Sequence, residues 1–130
     1  MKIIIFIIIF LKSFLLLSEV NSWECNKFEG AKIIAEDGTY LGELGPQWKT
    51  NSIFNDSSKY SSSWSSESVY NSDSKYGNSW SSESVFNDSA SNPPLIISKQ
   101  EEVIGKLSIG PIWDNSRYNP YDIKYTCDWD

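Results

Sequence analysis

Glu67 and Glu83 hold matching places sixteen residues apart, each closing a Trp-Ser-Ser-Glu run. On adjacent strands their carboxylates would sit roughly 5 Å apart. Two carboxylates at that separation are what retaining glycoside hydrolysis requires. Repetition also produces such a pair with no chemical purpose, as a solvated acidic edge, and that is the favoured reading. Ser58-Lys59 and Ser74-Lys75 are the other reactive-looking pairs. A nucleophilic serine needs a base. The chain has no histidine, so lysine is the remaining choice. Adjacent strand residues point to opposite faces, so neither pair is set for proton transfer. The missing histidine also removes the commonest metal ligand and the usual pH switch. Asp56, Asp73, Asp88 and Asp114 do not form the Asp-x-Asp-x-Asp-Gly run of a calcium loop. Asp128 and Asp130 read as a solvated tail. No catalytic residue, metal site or cofactor is expected.

The aromatic residues carry a sharper signal. Trp64 and Trp80, with Tyr60 and Tyr76, could form a ligand-binding platform for sugar rings, choline-like cations or other flat apolar faces. Neighbouring serine and asparagine could hydrogen-bond sugar hydroxyls. The competing reading is core, because a chain with few Leu and Val needs its rings for burial. The two hold together if Trp64 and Trp80 face outward while Phe54, Tyr70 and Phe86 face inward.

These residues lie in a repeat. Residues 52–67 read SIFNDSSKYSSSWSSE and residues 68–83 read SVYNSDSKYGNSWSSE, with ten of sixteen positions identical. A third copy starts at residue 84 as SVFNDSAS and runs into Asn92-Pro93-Pro94. Trp48 precedes Trp64 by the same sixteen residues. A fixed period signals stacked units, none of which buries its apolar face alone. Seventeen of residues 51–91 are serine, which favours turns and caps over helix. Phe54, Tyr60, Trp64, Tyr70, Tyr76, Trp80 and Phe86 all fall on even numbers, so short strands would line them along one face.

The flanks match each other. Residues 33–48, IIAEDGTYLGELGPQW, and residues 96–113, IISKQEEVIGKLSIGPIW, share two isoleucines, a polar turn, a Gly-charge-Leu step and a final Gly-Pro-x-Trp. Asp37-Gly38 is a strong hairpin signal. Lys99 to Glu102 plays the same part without glycine. Two similar β-hairpins, 33–48 and 95–113, therefore flank a repeat array over 52–91. The tail, 114–130, holds a turn at Arg117-Tyr-Asn-Pro-Tyr121 and a short strand at Ile123-Lys-Tyr-Thr-Cys127. The expected fold is all-β: a short-strand array of about 2.5 sixteen-residue repeats in one domain over 23–130, closed by a terminal disulfide.

Residues 1–22 read as a signal peptide. Lys2 precedes nine apolar residues at 3–11, and Val20-Asn-Ser22 offers a cleavage point after Ser22. A spanning helix needs roughly 20 apolar residues, and this run is shorter and carries Lys12. Membrane contact is expected only if the signal stays uncleaved. The protein is thus exported, whether secreted, periplasmic or held at the cell surface. In an oxidising compartment Cys25 and Cys127 form a disulfide by default. Closing a loop that long contributes about 4–5 kcal/mol in the chain-entropy model. The chain has 130 residues, 17 acidic against 11 basic, and a net charge of -6. That sign gives no counterion-release affinity for nucleic acid. Asn55-Asp-Ser57 and Asn87-Asp-Ser89 are glycosylation acceptors in a host that glycosylates its exports.

Residues 75–94, Lys-Tyr-Gly-Asn-Ser-Trp-Ser-Ser-Glu-Ser-Val-Phe-Asn-Asp-Ser-Ala-Ser-Asn-Pro-Pro, resemble a family of small, mostly bacterial proteins of unknown function. Its repeats read roughly Ser-Ile-(Trp or Phe)-Asn-x-Tyr-Gly-x-Tyr-Gly-Ser-x-Tyr-Ser. Asn-Pro-Pro and a Gly-x-Leu-Thr strand follow. Ala90 to Pro94 matches that junction and Gly105-Lys-Leu-Ser108 the later strand. The resemblance covers about residues 37–109. The chain departs in keeping only Tyr76-Gly77 among the Tyr-Gly steps, and in placing Trp64 and Trp80 where the family has tyrosine. The resemblance implies a fold grouping and no activity. A non-enzymatic binding or surface-interaction role is expected, with a polysaccharide or envelope protein as partner. A self-associating envelope protein is the alternative, and a small carboxylate-based hydrolase the remote one.

Overall fold

A computed structural model describes residues 20–130. The signal-peptide expectation lies outside them except for its last three residues. Of those, Val20 packs in the core and the Asn21 amide donates to Glu24 Oε1 at 3.1 Å.

The regular structure is mainly β, in one five-stranded mixed sheet. Its strands are β1 (Lys32–Ile34), β2 (Tyr40–Glu43), β3 (Leu95–Ile97), β4 (Val103–Leu107) and β5 (Arg117–Tyr118), in the order β2-β1-β3-β4-β5. Both flanking segments form antiparallel pairs, β1 with β2 and β3 with β4. The two pairs then join through β1 and β3, with Ile33 opposite Ile96 and both side chains buried.

The two hairpin turns solve one problem in two ways. In the first, Gly38 takes the left-handed conformation at φ +87°, and Asp37 Oδ1 accepts the Thr39 amide at 3.0 Å. In the second, Glu101 takes it at φ +63°, despite its Cβ. Ser98 holds that turn: its Oγ accepts from the amides of Gln100 (3.2 Å) and Glu102 (3.1 Å).

Two short helices make the fold more than all-β. They are α1 (Cys25–Phe28), entered by a 3-10 turn over Ser22–Glu24, and α2 (Pro120–Thr126). The strand expected at residues 123–127 is corrected to α2. Asn119 caps it, its side chain accepting from the Tyr121 amide at 2.9 Å, and Pro120 stands in the first turn, where no amide is needed. The cap and the proline override the strand preference of Ile123, Tyr125 and Thr126, and Ile123 becomes the buried side of the helix. The turn expected at 117–121 is replaced by β5 and the start of α2.

The short strands expected across 52–91 are also corrected. Apart from a one-residue bridge of Ser52 to Glu43, this segment runs as hydrogen-bonded turns. The serines explain it. Oγ of Ser52, Ser68 and Ser84 accepts the amide two residues on, at 3.0–3.1 Å. Oγ of Ser58 and Ser74 does the same at 3.1 and 3.2 Å. Amides held by their own neighbours cannot enter a ladder. The Nδ2 groups of Asn55, Asn71 and Asn87 each donate to the carbonyl six residues back, at 2.9, 3.0 and 2.9 Å. Asn55 and Asn87, which match the glycosylation pattern in sequence, thus use their amide nitrogens inside the fold.

Ile53, Val69 and Val85 are fully buried, each beside a buried serine. The segment starts on the outer edge of β2, where the Glu43 amide donates to Asn51 O and the Ile53 amide to Glu43 O. It ends past β4, where the Ile109 amide donates to Val85 O at 3.0 Å. Leu41, Leu44, Leu107, Phe28 and Ile123 belong to the same core.

Cys25 and Cys127 are bonded across a sequence separation of 102. The bond ties α1 to the end of α2, and Trp129 folds back beside Phe54 with only 7% of its surface exposed. Replacing both cysteines by alanine is expected to lower stability by about 2–5 kcal/mol, read as a urea midpoint shift against the oxidised parent.

Candidate binding face

The turns decide where each ring points. The Trp64 amide is held by Ser62 Oγ at 3.2 Å, and the Trp80 amide by Asn78 Oδ1 at 2.7 Å. Both indoles then project from the turn with no core neighbour: Trp64 is 87% exposed and Trp80 89%. Trp48, sixteen residues earlier, is 75% exposed and carries Lys49 Nζ 5.8 Å from its ring centre. Tryptophan is highly buried on average, so three exposed indoles at one spacing are unusual.

The tyrosines behave differently. Tyr60 and Tyr76 are buried, and Tyr60 packs edge-on against Tyr40 at 5.1 Å. The single-face aromatic ladder is therefore corrected. Parity orders side chains only along a strand, and turns reset it. Phe54 is buried, and Tyr70 and Phe86 are partly buried and packed together at 5.6 Å, so these three face inward. Burial raises the Tyr70 hydroxyl pKa well above its ordinary value.

Trp64 lines a cleft of about 490 Å³ together with Glu67, Asn71, Asp73, Lys75 and Tyr76. Of the four aromatic candidates, this cleft brings together Trp64 and one border of Tyr76. Two of its charged side chains, Glu67 and Lys75, are ion-paired. Glu67 pairs with Lys59 at 2.9 Å, and Glu83 with Lys75 at 3.5 Å, so each carboxylate expected to face its twin has a lysine instead. Ser58 and Ser74, the serines of the Ser-Lys pairs, spend their oxygens on backbone amides. Among the described residues, no group of three His, Cys, Asp or Glu side chains could hold a metal ion. No described helix is long and apolar enough to cross a membrane.

A network that the sequence did not foreshadow fixes the cleft wall. The Tyr76 hydroxyl donates to Asp37 Oδ2 at 2.6 Å, and Lys75 Nζ stands 2.7 Å from the same oxygen. Thr39 Oγ1 lies 3.0 Å from the Tyr76 oxygen. This joins the first hairpin turn to a segment 38 residues away in sequence, a link no local pattern announces. The Lys75 ammonium, followed by the Tyr76 hydroxyl and Thr39, holds the Asp37 carboxyl far below the usual carboxylate range. The same contact raises Lys75. Burial, and then the bond to Asp37, raise the Tyr76 hydroxyl.

No protein family, curated protein or solved structure matches the chain.

The Asp37 link has a defined pH window. Its carboxyl is depressed on folding from an ordinary value of 3.8, so its contribution is present above about pH 4 and fades as the pH falls further. Lys75 is raised above 10.5, so its share is present below that pH and is lost as the pH climbs through the raised value. Asp37→Asn is expected to lower the melting temperature at pH 7 and to leave the parent and variant curves converging below pH 3.

Proposed function

We propose that the protein is an exported, non-enzymatic binding protein whose tryptophan face takes a cell-wall or other envelope polysaccharide. The observation that carries this reading is the exposure of Trp48, Trp64 and Trp80 at sixteen-residue spacing, while smaller side chains fill the interior behind them. A flat indole offers its face to the apolar side of a sugar ring. The polar cleft beside Trp64 offers amide, carboxylate and ammonium groups to the ring hydroxyls. A regular spacing suits a polymer, whose units also recur.

The same reading takes the turns of 52–91 as stacked sixteen-residue units. Support comes from the recurring Asn55, Asn71 and Asn87 bonds, the recurring Lys59–Glu67 and Lys75–Glu83 pairs, and the buried Ile53, Val69 and Val85. A grouping with the bacterial repeat family belongs to this proposal. Self-assembly through an open sheet edge has less support, because residues 51–53 already cover the outer edge of β2. Export rests on the N-terminal segment, and the disulfide is compatible with an extracellular or otherwise oxidising location.

The test is retention of the oxidised protein on insoluble cell-wall polysaccharides. The parent is expected to be retained. A Trp64→Ala, Trp80→Ala variant is expected to be lost, with its circular dichroism intact and its unfolding free energy within about 0.5 kcal/mol of the parent. An unfolded variant would mark the indoles as structural, and no retention of the parent would remove the polysaccharide reading.

A further inference from the structure

A second cleft, of about 520 Å³, opens between the 88–91 turn and the 109–113 loop and is lined by none of Trp48, Trp64 and Trp80. Asp88 and Ser91 line one side, and Pro111, Ile112 and Trp113 the other, with Arg117 at its base. Its walls are fixed before any ligand arrives. Arg117 Nη1 donates to Ala90 O at 2.7 Å and to Gly110 O at 3.0 Å, one carbonyl from each wall. Ser108 Oγ donates to Gly110 O at 2.8 Å, and the Ile109 amide donates to Val85 O at 3.0 Å.

The side chains on these braced walls remain in solvent. Trp113 is 82% exposed and Ile112 75%, so two large apolar groups stand side by side without cover. The charge in the cleft is uneven. Arg117 is paired with Asp114 through its Nε at 3.0 Å, which cancels both. Asp88 forms no ion pair with any lysine or arginine among the described residues; its Oδ1 accepts only from the neighbouring Ser89 hydroxyl at 3.2 Å. The cleft is thus lined by one carboxylate without an ion pair, one exposed indole and an aliphatic wall. An indole face attracts a cation through its quadrupole, and a carboxylate does so through its charge.

We infer that the cleft between Asp88 and Trp113 is a binding site for a quaternary ammonium group. A methylated ammonium has a positive charge spread over apolar methyls and needs no hydrogen-bond acceptor, which matches a site walled by Ile112, Pro111 and the Trp113 ring. The acidic balance of the whole chain attracts the same sign of ligand. The site shares none of the residues proposed to hold polysaccharide and stands or falls independently of them.

The probe is choline, with its uncharged isostere 3,3-dimethylbutan-1-ol as control, followed through the indole N–H resonances of the oxidised protein. The Trp113 resonance is assigned by its disappearance in Trp113→Leu. Choline is expected to shift that resonance saturably at millimolar concentration, the isostere at least about tenfold more weakly, and Asp88→Asn to weaken choline by about five- to tenfold. The remaining indole resonances report that each variant is folded. Equal binding of the isostere, an unchanged affinity in Asp88→Asn, shifts confined to other tryptophans, or no shift would each overturn the proposal. Vesicles of phosphatidylcholine separate the two sources of this group. Cosedimentation that Trp113→Leu abolishes assigns a lipid headgroup, and choline binding without cosedimentation assigns a free ligand.

Discussion

The fold depends on side chains serving as backbone partners. Between β2 and β3 the chain runs through some fifty residues with no helix and no strand beyond one bridge. Buried peptide groups must be paired, and a segment without a ladder has to find the partners locally. Serine and asparagine supply them. Each serine of the set at 52, 68 and 84 caps an amide two residues on, and each asparagine at 55, 71 and 87 reaches back to a carbonyl on the preceding turn. A composition that resembles a flexible linker is thereby turned into a framework. No buried side-chain nitrogen or oxygen among the described residues lacks a partner.

That framework is also what frees the tryptophans. The space behind the turns is filled by Ile53, Val69 and Val85, with Tyr60 and Tyr76 beside them, so the indoles at 64 and 80 are not needed for burial. The segment is anchored at both ends, by the edge of β2 and by Ile109 beyond β4, and the Asp37 cluster pins its middle to the first hairpin. The disulfide adds a further tie between the two helices, which lie outside the sheet. Rigid support with exposed rings is the arrangement a preformed binding surface requires, because little side-chain or loop ordering then has to be lost on binding.

Much of the sheet was legible. The matched flanks at 33–48 and 95–113 carry the four strands that pair in antiparallel fashion, and an even pair of cysteines behind a segment that reads as an export signal announced their bond. The helix α2 was not legible from its last turn, since Ile123-Lys-Tyr-Thr reads as strand. Its signal was Asn119-Pro120, a cap followed by a first-turn proline. The outward indoles and inward Phe54, Tyr70 and Phe86 agree with the sequence reading, but the single-face ladder fails at Tyr60 and Tyr76 because a period of two does not pass through turns. Ser61 stands sixteen residues before Gly77, and its amide donates to Ser58 O as that of Gly77 does to Ser74 O, so the same turn forms with serine or glycine. The Asp37–Lys75–Tyr76 cluster lies between distant segments and leaves no trace in spacing or composition. Trp113 was visible only as the end of a Gly-Pro-x-Trp match, and its cleft exists because Arg117 bridges two loops.

The central claim is that asparagine and serine side chains, rather than the exposed rings, hold the strandless segment together. Urea unfolding of Asn71→Ala tests it most directly. Asn71 is buried, accepts the Asp73 amide at 2.9 Å and donates to Ser65 O at 3.0 Å. Removing it leaves a donor and an acceptor without their partner, and a loss of about 1–3 kcal/mol is predicted. A change below about 0.5 kcal/mol, the range of an ordinary surface substitution, would contradict the account.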